Sequence, residues 1–233
     1  EGRAVVEIVK GTTSDLLDRL YWLSDSSHPK DIKNAFYFSI DNVRIEVNLG
    51  TPVLTIQLDF GPLNLGKTWR YLVELQKLMA DATYRTSTLY HYTTLNPAKS
   101  ANSAYLMCAY QVSFCLTAGG MLGRTPEQAF KPFRHIKFMD FRDAGYGECS
   151  YKCTILDCLR GLSYAVKLGW FNYKTFDIKF YQHYEQAHNG DMNWIVPGQF
   201  IAFSSPANSH ETLTEYNLPL SRIDSSPPLT TFP

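Results

Sequence analysis

Short hydrophobic runs dominate the first third of the chain. VVEIV at 5–9, RLYWLS at 19–24 and AFYFSI at 35–40 are rich in β-branched and aromatic residues and are bounded by Gly, Ser, Asp or Pro. These runs predict β-strands, because side chains of these types pack well on a pleated surface. A further extended segment is predicted at 44–60, with a Gly-Thr-Pro break inside it.

From residue 60 onwards the hydrophobic period becomes that of a helix. Pro62 is typical of a helix start. Apolar side chains then recur every three or four residues, namely Leu65, Trp69, Leu72, Leu75 and Leu78. A buried strand is predicted at 87–92 (STLYHY), and a long apolar helix follows it. Another helix is predicted to begin at Thr125, where Thr, Pro and Glu supply an N-cap, a first-turn proline and an acid.

Two more helices are predicted in the second half of the chain. The segment 149–169 is predicted to be one helix with its cysteines on the apolar side, and 175–191 a helix closed by Gly190. A last strand is predicted at 200–205. Three aromatic residues close to it are interpreted as core, namely Trp194, Phe200 and Phe203.

This alternation of strands and helices predicts an α/β domain with a mainly parallel sheet flanked by helices. We assign residues 1–204 to that domain. Residues 205–233 are rich in Ser, Pro and Thr and are predicted to be a linker.

Charge and composition narrow the possible partners. The chain has 22 basic and 22 acidic side chains, so its balance favours neither a nucleic acid nor an anionic membrane surface. Residues 100–123 carry no charge, but their Ser, Gln, Thr and Gly-Gly content favours a buried core helix over a membrane span. Five cysteines, an odd number, favour a reducing, intracellular compartment.

The cysteines at 149, 153 and 158 are close enough in sequence to suggest a metal site. Their spacing matches no common zinc pattern, so the interpretation as buried structural thiols is favoured and no metal is predicted. The adjacent Arg142 and Asp143 suggest a catalytic couple at first sight. An ion pair that fixes a loop is the simpler interpretation, because no nucleophile is near in sequence.

The turn between the predicted strand and the apolar helix has the layout of a phosphate site. A cysteine-dependent phosphatase would place Cys directly after His91 and Arg six residues after that Cys. Tyr92 and Ala98 occupy those two positions. Pro97 removes one amide donor, and Lys99 is a cation displaced by one residue. These losses favour an ordinary strand-to-helix turn kept for packing over a loop that binds phosphate, and in the context of the whole chain we interpret the stretch as a vestigial phosphate loop. His91 is interpreted as a packed histidine in preference to a base or ligand.

Several ordered motifs resemble a known family, the cell-division-cycle-fourteen family of dual-specificity protein phosphatases. The resemblance is to its N-terminal domain and runs from about Val5 to the end of the chain. It rests on DFGPLNL, HYT followed by KSAN, GRTPEQAF, FRDAGYGECSYKCTILDCLRG and HYEQAHNGDMNWIVPGQFIAF.

The resemblance implies that this is the first of two phosphatase-like domains, with the Cys-X5-Arg motif and the acid on the second. The end of the chain resembles the start of the connecting linker, so the chain alone is expected to be inactive. The parent enzyme would hydrolyse phosphoserine and phosphothreonine before proline, without a cofactor. Its expected partners are phosphoproteins with nearby basic residues and the catalytic domain in cis, in the nucleus, the cytoplasm or on cytoskeletal and spindle structures.

The family also places acids at the end of the predicted helix 175–191, beside the active site. Glu185 and Asp191 match such acids, whereas Gln182 stands where relatives carry an acid. From spacing alone, these residues would be solvated side chains on a helix end. The resemblance favours a substrate groove that faces a basic residue of the substrate.

Two rival hypotheses come from other functional classes. The chain would be a stand-alone interaction module if the parent had no catalytic neighbour, binding a protein partner or a phosphopeptide. Its large apolar content would alternatively suit a dimerisation domain, and hence a homo-oligomer.

Overall fold

The computed structural model describes residues 4–7, 19–26, 34–39, 61–117, 124–143 and 148–203. The extended segment predicted at 44–60 and the linker predicted at 205–233 lie outside these residues. The chain divides into two compact units, residues 1–176 and 177–233, which we call the N-terminal and C-terminal units.

A four-stranded sheet organises the N-terminal unit. Its strands are β1 (Ala4–Glu7), β2 (Leu20–Ser24), β3 (Ala35–Phe38) and β4 (Thr88–Thr93), arranged in the order β1-β2-β4-β3. Strands β2, β4 and β3 run parallel, and β1 pairs antiparallel with β2 at one edge. The predicted α/β class with a mainly parallel sheet is confirmed.

Four α-helices accompany this sheet in the described part of the N-terminal unit. They are α1 (Leu65–Ala80), α2 (Pro97–Thr117), α3 (Pro126–Phe130) and α4 (Ile155–Lys167). Short 3₁₀ turns lie at Ala82–Tyr84 and Lys131–Phe133, and the strands β5 (Phe141–Arg142) and β6 (Lys152–Cys153) form a small antiparallel pair.

Helix α2 is the central element of the core. Its described side chains from Ser103 to Ser113 are all buried, and the helix packs against α1, α4 and the sheet. This burial explains why the segment carries no charge, because an unpaired charge would be very costly there. Among the described residues, no helix has the length and apolar character needed to cross a membrane.

Within its described residues, 177–203, the C-terminal unit contains one short helix and one hairpin. Helix α5 (Ile178–Tyr184) is followed by a 3₁₀ turn (Ala187–Asn189) and by the antiparallel strands β7 (Asn193–Val196) and β8 (Phe200–Ala202). The prediction of one helix from 175 to 191 is therefore wrong. Gly190 does adopt a left-handed cap conformation, but it closes the 3₁₀ turn.

Two further predictions are wrong. Cys149 lies before β6 and Cys153 within it, so the cysteine segment becomes helical only after Thr154, whose side chain caps α4. Phe200 and Phe203 are 65% and 63% exposed, because they lie on and beside a two-stranded ribbon whose side chains stay accessible. They are not core residues, and Trp194 is half-buried.

Candidate functional site

The turn between β4 and α2 lies at the carboxyl ends of the parallel strands, where α/β folds commonly place ligands. Strand β4 ends at Thr93 and α2 begins at Pro97, so three residues connect them. The side-chain oxygen of Asn96 accepts a hydrogen bond from the Lys99 amide at 3.0 Å. Asn96 therefore caps the helix and occupies a donor that an anion would otherwise use.

The backbone of the turn also contributes a carbonyl oxygen, which accepts two hydrogen bonds from side chains. The carbonyl of Thr94 accepts hydrogen bonds from the hydroxyls of Ser24 at 3.2 Å and Ser100 at 3.1 Å. A phosphate cradle needs converging amide donors, whereas this turn presents an acceptor held by two side chains. The turn is therefore closed by its own hydrogen bonds.

The remaining residues of the predicted vestigial loop lie as follows. Tyr92 is a half-buried strand residue in register with Leu23 of β2, so a phenol stands where the fold would present a nucleophile. Pro97 opens α2, Ala98 is half-buried, and Lys99 is exposed in the first turn.

His91 is a fully buried residue of β4. Its Nδ1 lies 2.9 Å from the hydroxyl oxygen of Tyr71. That hydroxyl donates a hydrogen bond to the sulfur of Met107, also at 2.9 Å. Nδ1–H can donate to Tyr71 while Tyr71 donates to Met107, whereas the buried Nε2 has no hydrogen-bond partner among the described residues. The ring also stacks on Phe38 at 5.1 Å between centroids, and burial lowers the pKa of His91 to about 3. His91 is thus a neutral core residue packed away from solvent.

The described thiols do not replace the missing nucleophile. Cys108 is buried in α2 and donates to the Ala129 carbonyl, and burial raises the pKa of its thiol, which stays protonated. Cys149 donates to the Tyr151 carbonyl at 2.9 Å. Cys153 precedes helix α4, but the Asp157 carboxylate accepts from the Thr154 amide at that helix start and would repel a phosphate.

The Asp143 carboxylate, just after β5, bonds to the residues just before β6. Its Oδ2 accepts hydrogen bonds from the amide and the hydroxyl of Ser150 and from the amide of Tyr151, each at 2.9 Å. The neighbouring Arg142 donates through Nε to the Asp143 carbonyl at 3.3 Å. Asp143 therefore has a structural role. Across the described residues, no three His, Cys, Asp or Glu side chains gather in a way that could hold a metal ion.

The predicted acidic residues of the C-terminal unit lie around the end of α5. Gln182 is on the helix, Glu185 is its C-terminal cap residue, and Asp191 is exposed just after the left-handed Gly190. The Asp191 amide donates to the carbonyl of Gln186 at 3.1 Å, so the chain folds back and places Asp191 beside the residue that follows Glu185.

We call residues 185–191 the acidic turn, because Glu185 and Asp191 both lie near the C-terminal end of α5. A helix C-terminus carries partial negative charge, so acids near it are unfavourable unless they interact with a cation. Asp191 also holds a left-handed backbone, with φ of 47°. The two charges therefore add to the negative end of the helix dipole.

Sequence reasoning missed the residues that shape both turns. At the first turn these are Asn96, Ser24 and Ser100, and an Asn directly before a first-turn proline was a usable capping signal. At the second, Asn189 braces the turn by donating to the His183 carbonyl at 2.7 Å. The dipeptide Asn189-Gly190 indicated a turn, but the sequence did not indicate that Asn189 would bond to His183.

The sheet and the strand–turn–helix site without a nucleophile define a phosphatase-like α/β domain. A family model described as the N-terminal half of dual specificity protein phosphatases matches residues 15–165, and the chain belongs to this family. The resemblance identified from the motifs is thereby confirmed.

CDC14 phosphatases are among the relatives that match the chain. The chain is 39% identical to the dual specificity protein phosphatase CDC14A of Homo sapiens over 199 residues, which cover 84% of this chain and 31% of the relative. It is 39% identical to CDC14B of Mus musculus over 82% of this chain and 37% of the relative. Identity to the tyrosine-protein phosphatase CDC14 of Saccharomyces cerevisiae is 29%, over 85% and 34%. The chain spans about a third of the length of these relatives.

Proposed function

We propose that this chain is a non-catalytic specificity domain that acts beside the catalytic half of a dual-specificity protein phosphatase. The parent enzyme would act on phosphoserine and phosphothreonine before proline. The observation that carries the proposal is the β4–α2 turn. Its helix start is capped by Asn96, its centre holds the Thr94 carbonyl, and Tyr92 stands at the nucleophile position.

The acidic turn supports the specificity role. Glu185 and Asp191 lie at the negative end of α5, where their charges add to the helix dipole. A local negative potential would favour substrates with a basic residue near the phosphorylated site. Gln182 lies one helical turn before this cap and contributes no charge, so the groove would be less acidic than in the family pattern.

An assay of the isolated chain tests the non-catalytic part. The purified chain should show no turnover of p-nitrophenyl phosphate or of a phosphoserine-proline peptide above the buffer control, because the part of the chain that the structure describes presents no thiolate at an anion site. Sustained turnover would contradict the proposal. Substituting each cysteine by serine in turn would then show whether a thiol is responsible.

The parent reading frame separates this proposal from its rival. A Cys-X5-Arg motif after Pro233 supports a specificity domain in cis. A reading frame without that motif would indicate an interaction module, and binding of a phosphopeptide by the chain alone would then be its assay.

A further inference from the structure

The thiols of Cys153 and Cys158 are in direct contact. Their sulfur atoms lie 3.4 Å apart, although one residue belongs to β6 and the other to α4. Both side chains are half-buried. Neither residue takes part in the β4–α2 turn or in the acidic turn.

The start of α4 explains this contact. Thr154 caps the helix and Asp157 completes a capping box, with reciprocal hydrogen bonds of 3.2 and 3.0 Å between their side chains and amides. In the hydrophobic staple found at many helix starts, the residue before the cap packs against the fourth helical residue. Cys153 and Cys158 occupy these two positions, so the helix start itself holds the sulfur atoms together.

We propose that Cys153 and Cys158 form a redox modification site, at which a peroxide converts the two thiols into a disulfide. The sulfur atoms need to approach by somewhat more than 1 Å to reach a disulfide bond of about 2 Å. Rotation of the two side chains can supply this movement, because the positions they occupy already face each other.

The chemistry balances with one peroxide molecule. The Cys153 sulfur, as thiolate, attacks one peroxide oxygen, so that an S–O bond forms, the O–O bond breaks and water leaves after protonation. The Cys158 sulfur then attacks the resulting sulfenic sulfur, the S–O bond breaks, and hydroxide leaves as water with the Cys158 proton. Both sulfur atoms are oxidised and the peroxide is reduced to two waters.

The order of attack follows from the surroundings of the two thiols. Burial, together with its contact to Cys153, raises the pKa of the Cys158 thiol, so Cys158 remains protonated until the sulfenic acid has formed beside it. Cys158 is accordingly the resolving residue.

The other described thiols are engaged elsewhere. Cys149 donates to the Tyr151 carbonyl and accepts from the Asp143 amide at 3.4 Å. Cys108 is completely buried in α2. Cys149 therefore serves as a nearby control, since it is half-buried like the proposed pair but has no sulfur partner within hydrogen-bond distance among the contacts of the described residues.

Peptide mapping tests the proposal on the intact chain. After treatment with hydrogen peroxide and blocking with N-ethylmaleimide, trypsin should release residues 153–160 with both cysteines on one peptide, and residues 143–152 with Cys149. We expect 153–160 to lose two hydrogen atoms and carry no maleimide, while 143–152 still carries one. Dithiothreitol before blocking should restore two maleimides on 153–160.

Three variants and a rate measurement make the test specific. Cys149→Ser should leave the loss of hydrogen unchanged, whereas Cys153→Ser and Cys158→Ser should each abolish it. The disulfide should form faster in the native chain than in chain unfolded by urea, because the fold holds the thiols together. It should also raise the midpoint of thermal unfolding by a few degrees, by analogy with other short-loop disulfides.

Several results would overturn the proposal. These are a 153–160 peptide that keeps two maleimides after peroxide, a disulfide that joins Cys149 instead, irreversible oxidation of Cys153 with Cys158 still reactive, and an equal rate in native and unfolded chain. In those cases the pair would serve as an apolar contact at the helix start and nothing more.

Discussion

At the scale of single residues, His91 is a titratable side chain that the fold keeps neutral. Burial lowers its pKa to about 3, whereas a histidine in an unfolded chain titrates near about 6.5. Between these values the unfolded chain binds one more proton than the folded chain. The free energy of unfolding must therefore fall as the pH falls from about 6.5 to about 3, by at most about 1.4 kcal/mol per pH unit from this residue.

We predict that His91→Phe removes this part of the acid sensitivity. Phenylalanine keeps the stacking on Phe38, and Tyr71 can still donate to Met107. Urea unfolding at pH 7 and pH 5 should give a smaller loss of stability for the variant than for the native chain. The exposed His188, changed to Phe, is the control and should keep the native difference. An unchanged pH dependence in His91→Phe would contradict the assignment.

At the scale of elements, Arg19 joins the end of α1 to the start of β4. Its guanidinium donates to the carbonyls of Met79 at 2.8 Å and Ser87 at 3.3 Å, and to that of Tyr84. These carbonyls belong to the last turn of α1 and to the connection that leads into β4. Because the planar guanidinium group donates to several carbonyls at once, this one side chain fixes the path of the chain between two core elements.

Arg19→Ala should lower the free energy of unfolding by about 2 kcal/mol, because charged hydrogen bonds to carbonyls are lost. Arg19→Lys should recover only part of this loss, since an ammonium group cannot donate in the planar arrangement of a guanidinium group. Urea unfolding provides the measurement, with the exposed Arg85→Ala as the control. A loss equal to that of the control would show that the contacts contribute little.

The elements also show what the sequence was able to predict. Strand β4 and helices α1 and α2 were predicted because hydrophobic period and absence of charge directly reflect burial. The start of α4 was missed because the apolar pattern continues through β6, although Thr154 and Asp157 carried the capping-box signal. The end of α5 was misplaced because Gly190 caps a second, shorter turn. That turn is formed by backbone hydrogen bonds, which produce no periodic pattern of hydrophobic residues in the sequence.

At the scale of the whole molecule, membership of the family was predictable from local motifs, and the vestigial state of the phosphate loop stays a prediction. The hydrogen bonds from the Ser24 and Ser100 hydroxyls to the Thr94 carbonyl were not predictable, because the two serines are far apart in sequence and meet only in the folded domain. The acidic turn was identified through the resemblance rather than through spacing. The role in substrate choice that we propose for it would be a property of a protein containing both halves, and the test belongs there.

The specificity proposal predicts a selective effect of charge in that longer protein. Glu185→Lys and Asp191→Lys should each lower kcat/KM about two- to fivefold for a phosphoserine-proline peptide followed by lysine, in line with the modest energy of exposed charge pairs. Gln182→Glu should raise it, and added salt should weaken both effects. Glu74→Lys, an exposed acid on α1, is the control and should have no effect.

The proposed specificity role is tested best by a ratio of two kcat/KM values, that for the lysine-containing peptide divided by that for a small neutral aryl phosphate. We expect Glu185→Lys and Asp191→Lys to lower this ratio while turnover of the aryl phosphate stays unchanged. An unchanged ratio, whether both values fall together or neither changes, would contradict a specificity role for this domain.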